Sequence, residues 1–367
     1  SGGAVTLYHN NSAKLATTSS GVDVTGTAVT DGLTVAGDVS VDGGTIKLDG
    51  DYPTGTDNVF MGDAAGDSVG SGAAQNVGLG TNALTALTSA DNNTAVGYDS
   101  LKANTTGAEN TAIGSAALDA NTTGDENVAV GRSALILNTT GSENVAVGSR
   151  ALDANTTGSS NIGIGADAMG AVTTGNTNVA IGGATMVTNT VGDRNVAVGH
   201  QALKTYNPDS NEDSYNIAIG YNALFADTTG KQNTAIGGLA LDANTTGDAN
   251  VALGYQALSA NTTADNNVAL GVNALLVNTT GASNIAIGKG ALDANTTADN
   301  NTGVGTSALG ANTEGHSNTA VGSLALDANT TADENTAVGY ASLGANTTGI
   351  RQVAIGMNAL LANTTGD

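Results

Sequence analysis

The sequence has no cysteine and no tryptophan, only 2 prolines and 2 phenylalanines, and an aromatic content of 3%. Without cysteine there are no disulfides and no thiolate metal sites, so stability has to come from stacking or from other chains. A globular domain of this length would bury several aromatic side chains of about 150–250 Å² each. Their scarcity points instead to many thin layers of small and branched side chains. Basic residues are also few, 10 against 33 acidic, for a formal net charge of −23. That balance disfavours nucleic acid, whose partners are basic, and anionic membrane surfaces, and it suits an object kept in solution by its charge. No run of about 18 apolar residues occurs, so no membrane-spanning helix is expected. The opening Ser1–Gly3 lacks the basic and apolar regions of a secretory signal and reads as a scar of cloning or processing.

What is present is a repeat. An asparagine returns every 17 residues at Asn76, Asn93, Asn110, Asn127, Asn144, Asn161, Asn178 and Asn195, then from Asn216 to Asn335. Asn58 and Gln352 at the same position bring the count to 18 copies, with one extra residue after Asn58 and four after Asn195. The consensus is Asn-Thr/Val-Ala-Val/Ile-Gly-x-x-Ala-Leu-x-Ala-Asn-Thr-Thr-Gly-x-x. A fixed short period is the mark of a solenoid. The expected fold is therefore all-β, or β with short helical turns: a parallel β-solenoid or β-roll of about 18 coils over residues 58–367. At about 4.8 Å per coil it would form a shaft roughly 85 Å long. Residues 1–57 fall outside the period; Val22, Val24, Val29, Leu33, Val35, Val39, Val41, Ile46 and Leu48 alternate with Thr, Asp and Gly. They are expected to form short strands in a β connector or N-terminal cap. The last repeat stops in mid-period at Asn363–Asp367, so the natural chain is expected to continue.

Within a repeat, Asn144-Val145-Ala146-Val147-Gly148 alternates as a strand does. Val145 and Val147 are expected to point inward, with the small Ala facing another backbone or chain. The closing glycine needs either φ > 0 or the absence of a side chain. Ala117-Leu118 and its counterparts favour one helical turn, since both residues are strong helix formers, with a second short strand as the competing reading. Asn-Thr-Thr-Gly supplies the return turn; Ala replaces its Gly at Ala90, Ala264, Ala298 and Ala332, so that position is not expected to be left-handed. Stacking would place Asn110, Gly114, Leu118, Asn121, Asn127, Gly131, Leu135, Asn144, Gly148 and Leu152 in structural ladders, the asparagines bonding through their amides.

Catalytic signals are weak. His9, His200 and His316 are far apart in sequence, and Ser and Thr recur in columns instead of converging on a base. No cofactor and no enzymatic activity are expected. Acidic residues recur at Asp125-Glu126, Glu143, Asp299 and Asp333-Glu334, and again at Asp119, Asp153, Asp242, Asp293 and Asp327. They could hold Ca²⁺, but a solvated face is the simpler reading because they skip coils. Thr-Thr pairs would expose a single hydroxyl row, which argues for turn chemistry over ice binding. Asn-Thr-Thr is also a glycosylation sequon, for which the turn is again the simpler explanation. Tyr98, Tyr221, Tyr255, Tyr340 and His200 follow the corner glycine and are read either as receptor contacts or as seals against a neighbouring chain. The one large irregularity, residues 204–215, is read as an outward loop, with Tyr206, Asn207, Pro208 and Tyr215 as candidate receptor contacts.

The runs of Asn-Thr-Ala-Val-Gly and Asn-Val-Ala-Val-Gly from 76 to 355 resemble the head repeats of trimeric autotransporter adhesins of the YadA type. They resemble still more the Asn-Thr-Ala-x-Gly-Tyr-x-Ala-Leu-x-x-Asn-Thr-Thr-Gly arrays of phage tail fibres, and Leu7–Gly26 resembles segments of marine phage fibres. The resemblance implies a left-handed roll, three chains side by side and a role in attachment. The implied place is extracellular, on a virion tail fibre or alternatively a bacterial cell surface. The implied partners are two further copies in a homotrimer, other tail or fibre proteins, and a host cell-surface receptor or glycan. The period of 17 is longer than that of YadA-type heads, and neither an anchor barrel nor a chaperone domain is recognisable within these residues.

Overall fold

The structure is a computed structural model; it describes residues 57–366 and, before them, Thr6–His9, Ser12–Thr18 and Gly21–Val24. The chain divides into two compact units, 1–48 and 49–367. In the first, β1 (Thr6–His9), β2 (Ser12–Thr18) and β3 (Gly21–Val24) form an antiparallel sheet in that order, with an irregularity between Leu7 and Tyr8. The strands expected between Val29 and Leu48 lie outside the described residues.

The second unit is a β-solenoid of 18 three-residue strands, from β4 (Val59–Met61) to β21 (Val353–Ile355), without a helix among the described residues. Each strand pairs in parallel with that of the coil before and the coil after, always in register, as in Val128↔Val145, Ala129↔Ala146 and Val130↔Val147. The register survives the insertion, where Val196 still faces Ile217. The strands are short because the motif closes them at both ends. Asn, or Gln352 in the last coil, stands immediately before each one, and the glycine that follows has φ between +124 and +141°. A side chain there would also collide with the next coil: a Cβ on Gly114 would stand 2.4 Å from the Gly131 carbonyl oxygen. The corner thus needs glycine for both of the expected reasons. The Gly of Asn-Thr-Thr-Gly, by contrast, is not left-handed.

Two expectations are corrected. The Ala of each strand, not its branched neighbours, faces inward: Ala146 is fully buried while Val145 and Val147 are half-buried. The interior has no room for more. A Cβ built at Gly163, which occupies an alanine position, would lie 3.2 Å from Leu152 Cγ and 3.5 Å from the Ala168 carbonyl oxygen. Phe60 occupies the inward position only in the first coil, where Gly66 and Gly78 leave space; a Cβ on either would fall 2.7 Å from its ring. The second correction concerns Ala-Leu, which is neither helix nor strand. Leu118, and Ala116 just ahead of the pair, have φ of 52° and 55°, of opposite sign to a helix, while the Ala117 N–H turns back to the Gly114 carbonyl at 3.3 Å. A helix would satisfy its N–H groups internally, whereas those of Ala116 and Leu118 donate along the stack, Ala116 to the Tyr98 carbonyl at 2.8 Å and Leu118 to the Ala134 carbonyl at 3.0 Å. Tertiary demand therefore overrides propensity.

The packing carries a prediction. Ala146→Val should destabilise the solenoid by about 1–3 kcal/mol through overpacking. Val145→Thr on the outer face, where the strand Thr111–Ile113 two coils earlier already has Thr111, should stay within about 0.5 kcal/mol of the parent. Urea unfolding of the two variants, followed by circular dichroism, checks the difference.

Candidate functional site

Every coil is tied to its neighbours by side-chain ladders. Asn127 donates its backbone N–H to Asn110 Oδ1 at 2.9 Å and its Nδ2 to the same oxygen at 3.1 Å, and Nδ2 also reaches the Gly141 carbonyl at 2.9 Å. Asn144 repeats this on Asn127. Only a short amide combines that acceptor with two donors. A second ladder runs through Asn104, Asn121, Asn138 and Asn155; Asn138 Nδ2 donates to Asn121 Oδ1 at 2.8 Å and to the Gly141 carbonyl at 2.9 Å. It resumes from Asn244 to Asn346. Between the ladders, Leu118, Leu135 and Leu152 are fully buried, and Gly114, Gly131 and Gly148 turn the corners. The sequon asparagine Asn121 is fully buried, and so is not a surface acceptor for glycans.

The sequence reading missed a third ladder. In most coils a side-chain acceptor two residues before the strand-leading Asn takes the backbone N–H of the coil before. The Ala108, Asp125, Ser142, Ser159 and Asn176 amides donate in turn to Asp125, Ser142, Ser159, Asn176 and Asp193, at 2.6–3.1 Å. His316 joins through Nδ1, which accepts the Asp299 N–H at 2.9 Å, and its own N–H goes to Asp333 at 2.7 Å. The signal was there: Asp, Ser, Asn and His share acceptor chemistry at one register position. Several acids read as a solvated face therefore work as backbone acceptors. Glu143 and Glu334, one residue on, meet Ser160 at 3.2 Å and Arg351 at 2.7 Å. Burial raises the carboxyl pKa of Asp119, Asp153, Asp293 and Asp327. Among the described residues no three His, Asp or Glu gather as a metal-binding group. The first Thr of each pair bonds along the stack, Thr122 Oγ1 to the Thr139 carbonyl at 3.0 Å, while Thr123 is exposed.

The insertion at 204–215 corrects another expectation. Tyr206 and Pro208 are buried, leaving Asn207 and Tyr215 as the exposed members of the proposed contact set. Tyr206 is drawn inward because it fills the column where the second ladder carries Asn. Asn207 Oδ1 accepts from the Thr190 hydroxyl at 2.7 Å, and the Tyr215 hydroxyl donates to Asp213 at 2.9 Å. Ion pairs of Arg194 with Asp213 and of Lys231 with Glu212 hold the loop against the coils on either side. In the next coil the column carries Asp227. It is fully buried; Oδ1 accepts from the Gly230 N–H at 3.0 Å and Asn244 Nδ2 at 3.2 Å, and Oδ2 has no partner. Burial pushes its carboxyl well above the ordinary range. Burial likewise raises the Tyr206 phenol, with Ser214 pulling the other way.

Outside the core, two surfaces stand out. The strand residues flanking each inward Ala form two outward rows of branched side chains, with Ile113, Ile181, Ile219, Leu253 and Ile287 among the exposed ones. Past the corner glycine, Tyr98, Tyr221, Tyr255 and Tyr340 are each more than half exposed. His200 stacks on Tyr221, with centroids 5.9 Å and planes 8° apart. His316 is occupied in the acceptor ladder, so these two described histidine side chains have separate structural roles. No family model, no curated protein and no solved structure matches the chain.

Two predictions follow from the ladder faults. Val172 interrupts the second ladder and leaves Asn155 Oδ1 without a partner. Val172→Asn should restore the bond and stabilise by about 1 kcal/mol, read as a higher denaturation midpoint. For Asp227 the folded-state pKa is raised, so folding takes up a proton. Its contribution is most favourable below the ordinary value of 3.8 and is lost as pH rises towards the folded pKa. Asp227→Asn should flatten this slope and stabilise the chain at neutral pH, as measured by melting curves across pH.

Proposed function

We propose that this chain is a structural attachment protein. In this reading its solenoid forms a shaft that associates side by side into a homotrimer, as part of a phage tail fibre, and acts outside the cell between other fibre proteins and a host surface. The supporting observation is the outer sheet face. The row formed by the last residue of each strand is apolar in every coil and half-buried or exposed in a single chain, with Ile113, Ile181, Ile219, Leu253 and Ile287 exposed, the kind of continuous patch that marks an interface. The small outward residue first taken to favour a trimer turns inward; the branched rows replace it as the reason for lateral contact. Three such faces turned towards a common axis would bury the rows. A bacterial surface adhesin or filament subunit would use the same seam. The single exposed Thr row and the acids engaged by backbone amides lend less support to an ice- or Ca²⁺-binding role.

Sedimentation equilibrium provides the test. At micromolar concentration the expected mass is three times the 35.5 kDa of one chain, and Ile181→Lys combined with Ile219→Lys should release monomers that keep their circular dichroism spectrum. A parent chain that sediments as a monomer would overturn the proposal.

A further inference from the structure

The column just past the corner glycine carries His200, Tyr221, Gly238 and Tyr255 in four successive coils. Because His200 and Tyr221 lie nearly parallel, 5.9 Å apart, their stack runs along the ladder. A ring face of Tyr221 is thus turned towards the coil of Gly238. That coil offers no side chain at this position. The nearest atoms to a Cβ on Gly238 would be two Tyr255 ring carbons, at 3.6 and 3.9 Å, in ordinary van der Waals contact, and the Tyr221 carbonyl oxygen at 4.0 Å. Tyr221 and Tyr255, 57% and 52% exposed, therefore flank a notch at Gly238, with the edge of the Tyr255 ring lying against its floor. Their backbones are two coil rises apart, about 10 Å. A flat ring midway would lie near both walls, inside the range of about 4.5–7 Å over which rings stack.

The rim of the notch is uncharged, with amides on either side of Leu239, which follows Gly238 and is half-buried. Asn222 and Gln256 follow the two tyrosines in sequence and are half-buried. The Asn222 amide oxygen is buried and has no partner within the protein, like that of Asn273 in the same column, so rotating the Asn222 amide outward to meet a ligand hydroxyl breaks no bond at that atom. Ring walls with amides at their edge suit a ligand with apolar faces and a hydroxylated rim. The charge of −23 disfavours a polyanion. We propose that the Tyr221–Gly238–Tyr255 notch binds a neutral saccharide, with one pyranose ring held between the tyrosines and its hydroxyls met by Asn222 and Gln256. The site gives the attachment reading a ligand class and does not require the trimer.

Saturation-transfer NMR on the full chain tests this with methyl β-glucoside, methyl β-galactoside, methyl α-mannoside and N-acetylglucosamine at millimolar concentration. At least one sugar should receive saturation. Gly238→Tyr, at a position whose backbone is not left-handed, fills the notch with a third ring and should abolish the signal. Tyr221→Ala or Tyr255→Ala should weaken binding about tenfold, the loss of one stacking wall. Tyr98→Ala, in the same column between Thr81 and Ser115, should change nothing. Circular dichroism and sedimentation of each variant separate loss of the site from loss of fold or of assembly. Silence from all four sugars, undiminished binding by Gly238→Tyr, or a notch-dependent response to tetramethylammonium alone would overturn the proposal.

Discussion

A buried amide that has to be bonded on every side governs this molecule. Each strand-leading Asn sits in the interior, where an unmet donor or acceptor costs about 1–3 kcal/mol. It meets that demand only by joining the coil before it and a carbonyl of the return turn, as Asn127 does with Asn110 and Gly141. A coil alone cannot satisfy its own asparagine. The 17-residue period brings one amide to the next, and a change that moved the columns apart would leave donors stranded. Extra residues are tolerated where the columns still meet, as between Asn58 and Asn76, whose N–H reaches Asn58 Oδ1 at 2.9 Å. The insertion after Tyr206 respects this: its extra residues leave the ladder intact, with the Asn216 N–H still bonded to Asn195 Oδ1 at 3.1 Å.

Tight stacking explains the backbone. Three non-glycine residues per coil, such as Glu126, Ser133 and Leu135, are left-handed, with φ of 56°, 57° and 52°. Such positions cost on the order of 1–3 kcal/mol each and persist because each places an N–H under a carbonyl of the adjacent coil. The same closeness keeps aromatic residues out of the regular coils, with Tyr206 at the insertion and Phe60 in the first coil as the exceptions among the described residues, and leaves room for no more than Ala at the strand position beside Leu152. Branched side chains are left outside, and the face that results is the one available for lateral association. Rings, too, gather outside, where the glycine at Gly238 opens a gap between two tyrosines.

Much of the architecture was legible in the residues. The asparagine period and corner glycine implied a parallel solenoid, and the Ala substitutions at Ala90 and Ala264 implied that the turn glycine is not left-handed. Less legible were the direction of the strand faces, the acceptor role of Asp125 or Asp193, and the inward turn of Tyr206. Alternation tells that two faces differ but not which is wider inside. An Asp reads alike whether it faces water or a backbone amide one coil away. Tyr206 reads as a loop residue because it lies in the irregular segment 204–215 and is not an asparagine, although Asn189 stands one period before it.

The sequence by itself determined the number of coils, their order and the columns that align, because these depend only on the recurrence of like residues at one spacing. The tertiary structure alone decided which residues of a strand are core, whether Ala-Leu turns left-handed or helical, and which surface is left for partners. Those outcomes depend on the width of the space between coils, and that width exists only once neighbouring coils have been drawn together by their shared hydrogen bonds.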